Sequence, residues 1–146
     1  MTVKEWLSRG YKIDREINAL LSEREEAFAL ACKVSAPPSD NEKVSATTGN
    51  GSEARFIKYA DYSKLIDRRI DELYRIKSEI MTVITLIDNN TYRTLLIMRY
   101  VQFKTWEQIA EGMGYDLRWI YRVHKKALNT CEKSFKRWTS GEKLDI

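Results

Sequence analysis

The sequence predicts an all-α protein: a long two-helix, coiled-coil-like hairpin followed by a C-terminal tri-helical helix-turn-helix domain. Three observations carry this expectation. Apolar residues recur at helical spacing over two long segments, one from Ile13 to Ala31 and one from Tyr62 to Ile87. The two prolines, Pro37 and Pro38, stand together in a polar stretch between those segments. Thr105–Leu128, TWEQIAEGMGYDLRWIYRVHKKAL, reads as two short helices joined by a tight turn containing glycine.

Thr2 and Glu5 have the spacing of a capping box, so a first helix starts near Val3 and runs to about Cys32. Ile13, Ile17, Leu20, Arg24, Ala27 and Ala31 follow the alternating spacing of a coiled-coil seam, with Arg24 as its charged interruption. Gly10 weakens the first turns. Ser35–Ser52, SAPPSDNEKVSATTGNGS, has almost nothing to bury, and residues 33–56 are expected to be a flexible linker. A second long helix is expected from about Asp61 to Asp88, with Tyr62, Ile66, Leu73, Ile76, Ile80 and Ile84 or Ile87 as its stripe. Such helices suit an antiparallel hairpin within one chain and equally suit a homo-oligomer paired between chains.

The C-terminal unit starts at Asn90, a helix cap for TYRTLLIMRYV, which offers Leu95, Leu96, Met98 and Val101 for packing. Thr105 and Gln108 form a second capping box, placing a helix start at Trp106. That helix buries Ile109, Ala110 and Met113, and Gly114 suits the left-handed residue that ends it. Asp116 then caps a final helix that buries Ile120, Val123, Ala127 and Leu128. A three-helix unit of roughly forty residues is marginal alone and needs support from the rest of the chain or from a partner. The expected organisation is therefore a scaffold or oligomerisation region at 1–89, a DNA-binding domain at 90–138 and a tail at 139–146.

The formal net charge of +4 is unevenly spread. Residues 1–89 carry 14 basic and 15 acidic groups, whereas residues 90–146 carry 11 and 6. The positive excess thus falls in the segment with the turn. Arg118, Arg122, Lys125 and Lys126 share the outer face of the final helix, the electrostatic footprint of a nucleic-acid surface. The competing reading, a solvated helix face, fits a single-signed cluster less well.

The stretch LLIMRYVQFKTWEQIAEGMGYDLRWIYRVHKKAL resembles region 4 of sigma-70-type factors. The shared features are an Arg-Tyr pair before the capped helix, the W-E-Q-I-A run, the Gly-Tyr turn and a second helix ending K-K-A-L. With a long helical N-terminal half, the chain is similar to phage and prophage late-gene transcription activators of the ArpU/RinA type. The resemblance implies a recognition helix in the major groove of double-stranded DNA, with RNA polymerase as a possible partner. Carried over position by position, it places Leu117, Arg118 and Arg122 as base readers. Arginine is the usual bidentate reader of guanine; simple phosphate contact is the competing role for both arginines. Leu117 stands where sigma factors carry a polar residue, so a standard promoter element does not carry over. Lys104, Thr105, Tyr121, Lys125 and Lys126 are expected on the DNA backbone. Trp119 is expected to face DNA or a partner, with packing against the N-terminal helices as the alternative.

Other chemistries find little support. A zinc site needs about four ligands, and the chain has two cysteines, Cys32 and Cys131, and one histidine, His124. No metal or cofactor is expected. His124 reads as a polar surface or boundary residue. No nucleophile has a plausible partner set, and no phosphate-binding glycine loop is present, so an enzyme is not expected. No run of about 18 apolar residues suggests a membrane span. The polar N-terminus is unlike a secretory signal, and the sparse cysteines suit a cytoplasmic protein. Two other function classes stay open: a phage small terminase subunit that recognises packaging DNA, and a helical protein–protein adaptor.

Overall fold

The computed structural model describes residues 1–34 and 45–141. Among them the regular elements are all helical: α1 (Val3–Leu7), α2 (Arg9–Val34), α3 (Ser45–Ile84), α4 (Asn90–Leu96), a π-helical turn (Ile97–Val101), α5 (Trp106–Met113) and α6 (Leu117–Thr139). The all-α expectation therefore holds. None of these helices is long and apolar enough to cross a membrane. The chain divides into two compact units: Ile13–Glu72, and Met1–Lys12 together with Leu73–Ile146.

The unit Ile13–Glu72 is an antiparallel pairing of α2 with α3. As α2 advances, its partners on α3 step backward. Arg69 donates to Glu16 at 3.1 Å. Arg24 reaches the Ser63 hydroxyl at 3.5 Å and lies over the Tyr59 ring at 5.7 Å. Phe28 meets Tyr59 at 5.4 Å and Phe56 at 6.4 Å between centroids, and Arg55 donates to the Leu30 carbonyl at 3.3 Å. The two helices thus pair within one chain. Ile17, Ala31 and Ile66 are buried along the seam, and Arg24 is accommodated because its guanidinium finds an aromatic face and a hydroxyl.

Three boundaries differ from the sequence expectation here. The first long helix is broken at Ser8, which ends α1 in the αR region with its amide on the Lys4 and Trp6 carbonyls. The Ser8 hydroxyl also donates to the Lys4 carbonyl at 2.7 Å, the local back-bonding that competes with helix continuation. The expected linker at 33–56 is helical at both ends: α2 continues to Val34 and α3 begins at Ser45. Contacts from Arg55 and Phe56 onto α2 outweigh the low helix propensity of this stretch; residues 35–44 lie outside the described residues. At its other end α3 stops at Ile84, short of Asp88.

The second unit holds the C-terminal helices together with α1 and the end of α3. Leu7, Ile80, Val83, Ile84, Ile87, Leu95, Leu96, Ile109 and Ile120 are all buried to 1% exposure or less. The expected boundary at 89/90 thus does not divide the chain, because Met1–Lys12 and the segment from Leu73 to Asn89 belong to the same unit. The physical reason is the one that made the tri-helical module marginal: it needs apolar surface from elsewhere. Trp6 of α1, 6% exposed, meets Phe135 at 4.9 Å and Trp138 at 5.4 Å. Arg9 covers the Trp6 ring at 4.7 Å and pairs with Glu79 at 2.9 Å. Trp138 is thereby a packing residue at the end of α6. The helix runs one residue into the expected tail, to Thr139; residues 142–146 lie outside the described residues.

The helix before the turn is capped by Asn89, whose side chain accepts from the Tyr92 amide at 3.1 Å, one residue earlier than expected. It is also interrupted. The Gln102 amide donates to the Ile97 carbonyl at 2.9 Å, a π-type bond that closes Ile97–Val101. Phe103 follows at φ 58°, an uncommon conformation for a residue with a side chain. Its ring repays that strain. It lies against Gly10, where a Cβ would stand 3.4 Å from the ring, and meets Tyr11 at 6.1 Å and the Lys77 ammonium at 4.8 Å. A side-chain methyl at Gly10 would meet this ring at ordinary van der Waals distance, so the approach does not depend on the glycine.

Candidate functional site

The turn between α5 and α6 is built by local chemistry at both ends. Thr105 caps α5: its hydroxyl accepts from the Gln108 amide at 3.2 Å, and the Gln108 side chain accepts from the Thr105 amide at 2.9 Å. Gly114 ends α5 in the left-handed region at φ 73°. Its amide donates to the Glu111 carbonyl, and the Tyr115 amide to the Ala110 carbonyl, satisfying two orphan acceptors in a Schellman arrangement. Asp116 then caps α6, accepting from the Trp119 amide at 2.7 Å. Three residues thus separate the helices, and a capping bond closes each of the two helix ends at the turn.

Beneath the turn lies a buried polar cluster. Ile120, Val123, His124, Ala127, Cys131 and Ser134 form the inward face of α6. His124, expected as a surface or boundary residue, is buried, with only 8% exposed. It lies one turn from Ile120 and directly after Val123, a position on the apolar stripe from which its burial could have been read. The Tyr100 hydroxyl stands 2.6 Å from His124 Nε2. Burial, then the charges of Lys4 and Arg99, lower the imidazole pKa to about 4. Burial raises the Tyr100 phenol to about 12. Both groups are therefore neutral, and the phenol and the imidazole share one hydrogen bond. Trp106 meets His124 edge-on at 4.6 Å, and Arg99 covers the other part of the cluster at 4.4 Å from the Trp106 ring. Arg99 also donates to the Lys104 carbonyl at 3.0 Å. The Arg99–Tyr100 pair of the sequence motif thus ties the helix before the turn to α5 and α6. Burial similarly lifts the Cys131 thiol to about 11, which keeps it protonated.

The opposite face of α6 is basic. Arg118, Arg122, Lys125 and Lys126 are exposed, and among the described residues no carboxylate pairs with any of them. Lys133 and Lys136 continue the exposed stripe, with Lys136 3.9 Å from Glu132. Leu117 is half-buried at the start of the helix, Trp119 is exposed, and Tyr121 is exposed with its ring edge against Trp106 at 5.4 Å. Lys104 is half-buried and Thr105 exposed at the N-terminus of α5. The structure therefore gathers Leu117, Arg118, Trp119 and Arg122 in the first two turns of α6. Lys125 and Lys126 follow on the next turn. Tyr115, which the sequence argument used only as part of the Gly-Tyr turn and gave no site role, is exposed beside Trp119. Among the described residues no group of three His, Cys, Asp or Glu could hold a metal ion.

Fold and site together define a class: an all-α chain whose C-terminal unit carries a capped helix–turn–helix with a basic outer face. The chain belongs to the family of proteins of unknown function DUF1492, whose model matches residues 33–132. That match takes in the turn and the basic stripe as far as Lys126. Comparison with curated proteins and with solved structures returned no match.

Proposed function

We propose that this chain is a sequence-specific double-stranded DNA-binding regulator of transcription that sets the first turns of α6 in the major groove. The observation that carries the reading is the exposed cationic face formed by Arg118, Arg122, Lys125 and Lys126, with which no carboxylate pairs among the described residues, presented by a helix whose N-terminus is fixed by Gly114 and Asp116. Arg118 and Arg122 lie one helical turn apart, the spacing at which both reach base edges while Lys125 and Lys126 meet phosphates. Leu117 borders the arginines; Lys104, Thr105 and Tyr121 flank the backbone side. The resemblance to sigma region 4 and to ArpU/RinA-type activators supports a phage or prophage setting in the cytoplasm, with RNA polymerase as a partner. One such module buries about 600–1,000 Å² on DNA, so useful affinity requires that partner or a second copy on a spaced half-site.

Selection of bound duplexes from random DNA tests the reading. A single enriched motif is expected. Arg118→Ala/Arg122→Ala should lose about tenfold to a hundredfold in preference per arginine contact, with unchanged helical circular dichroism. Failure of the unaltered chain to bind any duplex at low salt would refute the proposal.

A further inference from the structure

Beside the arginines of α6 lies aromatic surface that the fold does not bury. Tyr115 and Trp119 are each 43% exposed, with ring centroids 6.3 Å apart. Of the four tryptophans, Trp6 is buried and Trp106 and Trp138 are half-buried; Trp119 alone is exposed. Its backbone amide is held by Asp116 at 2.7 Å, which anchors it in the first turn. It precedes Arg122 by three residues, which makes the two neighbours on the surface of α6.

Resting on the DNA-binding reading above, we propose that the Tyr115–Trp119 pair is a specificity-determining surface for the 5-methyl group of thymine. The edges of base pairs in the major groove offer hydrogen-bond donors, acceptors and one apolar group, the thymine methyl. An aromatic surface pressed onto donors and acceptors desolvates them without replacing their hydrogen bonds. Over a methyl it gains by burial instead. The charge on the same helix selects the occupant: Arg118, Arg122, Lys125 and Lys126, all exposed, complement a polyanion. An apolar protein face would have to strip water from those cations without pairing them.

The test uses the full chain and a duplex recovered by the selection described above, with each thymine replaced in turn by deoxyuridine. This removes a methyl and leaves every hydrogen-bonding edge intact. At one or two positions the unaltered chain should bind about fourfold more weakly, the value of one buried methyl. Trp119→Ala should bind the thymine and uracil duplexes equally at those positions while keeping the salt dependence of the parent. Unchanged affinity at every uracil position, a recovered motif without thymine, or full discrimination retained by Trp119→Ala would each overturn the proposal and leave the DNA-binding reading standing. Absence of binding to any duplex would instead remove that reading and this proposal with it.

Discussion

Within the buried cluster of the C-terminal unit, the Tyr100 hydroxyl is hydrogen-bonded to His124 Nε2 at 2.6 Å, and burial with the nearby charges of Lys4 and Arg99 holds the imidazole neutral. The folded pKa, about 4, lies below the ordinary value of 6.5. Between those values the unfolded chain binds the proton and the folded chain does not. Stability from this residue is therefore fully present above about pH 6.5 and is lost as pH falls toward 4, at most on the order of 3 kcal/mol. Chemical denaturation at pH 7 and pH 4.5 checks this: His124→Gln should show a smaller loss between the two pH values than the unaltered chain. Equal losses would show that carboxylates alone govern acid sensitivity. The sequence held a signal for this burial, since His124 lies on the stripe of Ile120 and Ala127. What it did not hold was Tyr100 as the partner, which comes from another helix 24 residues away.

At the scale of elements, the turn is the part most plainly written in the chain. Both capping boxes, the Gly114 terminus and the Asp116 cap appear where the residue spacing placed them. Each is a contact within a few residues, so nothing distant competes with it. Gly114→Ala should cost at least about 1 kcal/mol, because φ 73° is open to glycine and strained for alanine. Thermal unfolding monitored by circular dichroism measures that cost, and a variant as stable as the parent would show that the turn relaxes. The breaks at Ser8 and at the π-helical turn were not legible. The π-helical turn follows from packing, since a continuous helical pattern gives no sign of where another element will demand a bend, and at Ser8 the bond to the Lys4 carbonyl adds a local cause. The helix at Ser45–Asp61 runs against local composition for the same reason, with Phe56 packed against Phe28 at 6.4 Å.

For the molecule as a whole, charge distribution and tertiary support govern how the proposed interface works. Four or five phosphate contacts give a slope of about −4 for log K against log [salt], and Lys125→Gln/Lys126→Gln should reduce its magnitude by about 2. Fluorescence anisotropy across a salt series measures both slopes; an unchanged slope in the double variant would place these lysines away from phosphate. Composition and periodicity by themselves determined the helical class, the two seams, the position of the turn and the face on which the cations gather. Those properties depend on near neighbours and on residue chemistry that survives any arrangement of the rest. Only the tertiary structure decided that α2 and α3 pair within one chain. It also decided that α1 and the end of α3 belong with the C-terminal helices, that His124 is buried, and that Trp119 is the tryptophan left in solvent. Each of those outcomes turns on which apolar surfaces remove one another from water, a property of pairs distant in sequence that periodicity along a single segment does not encode.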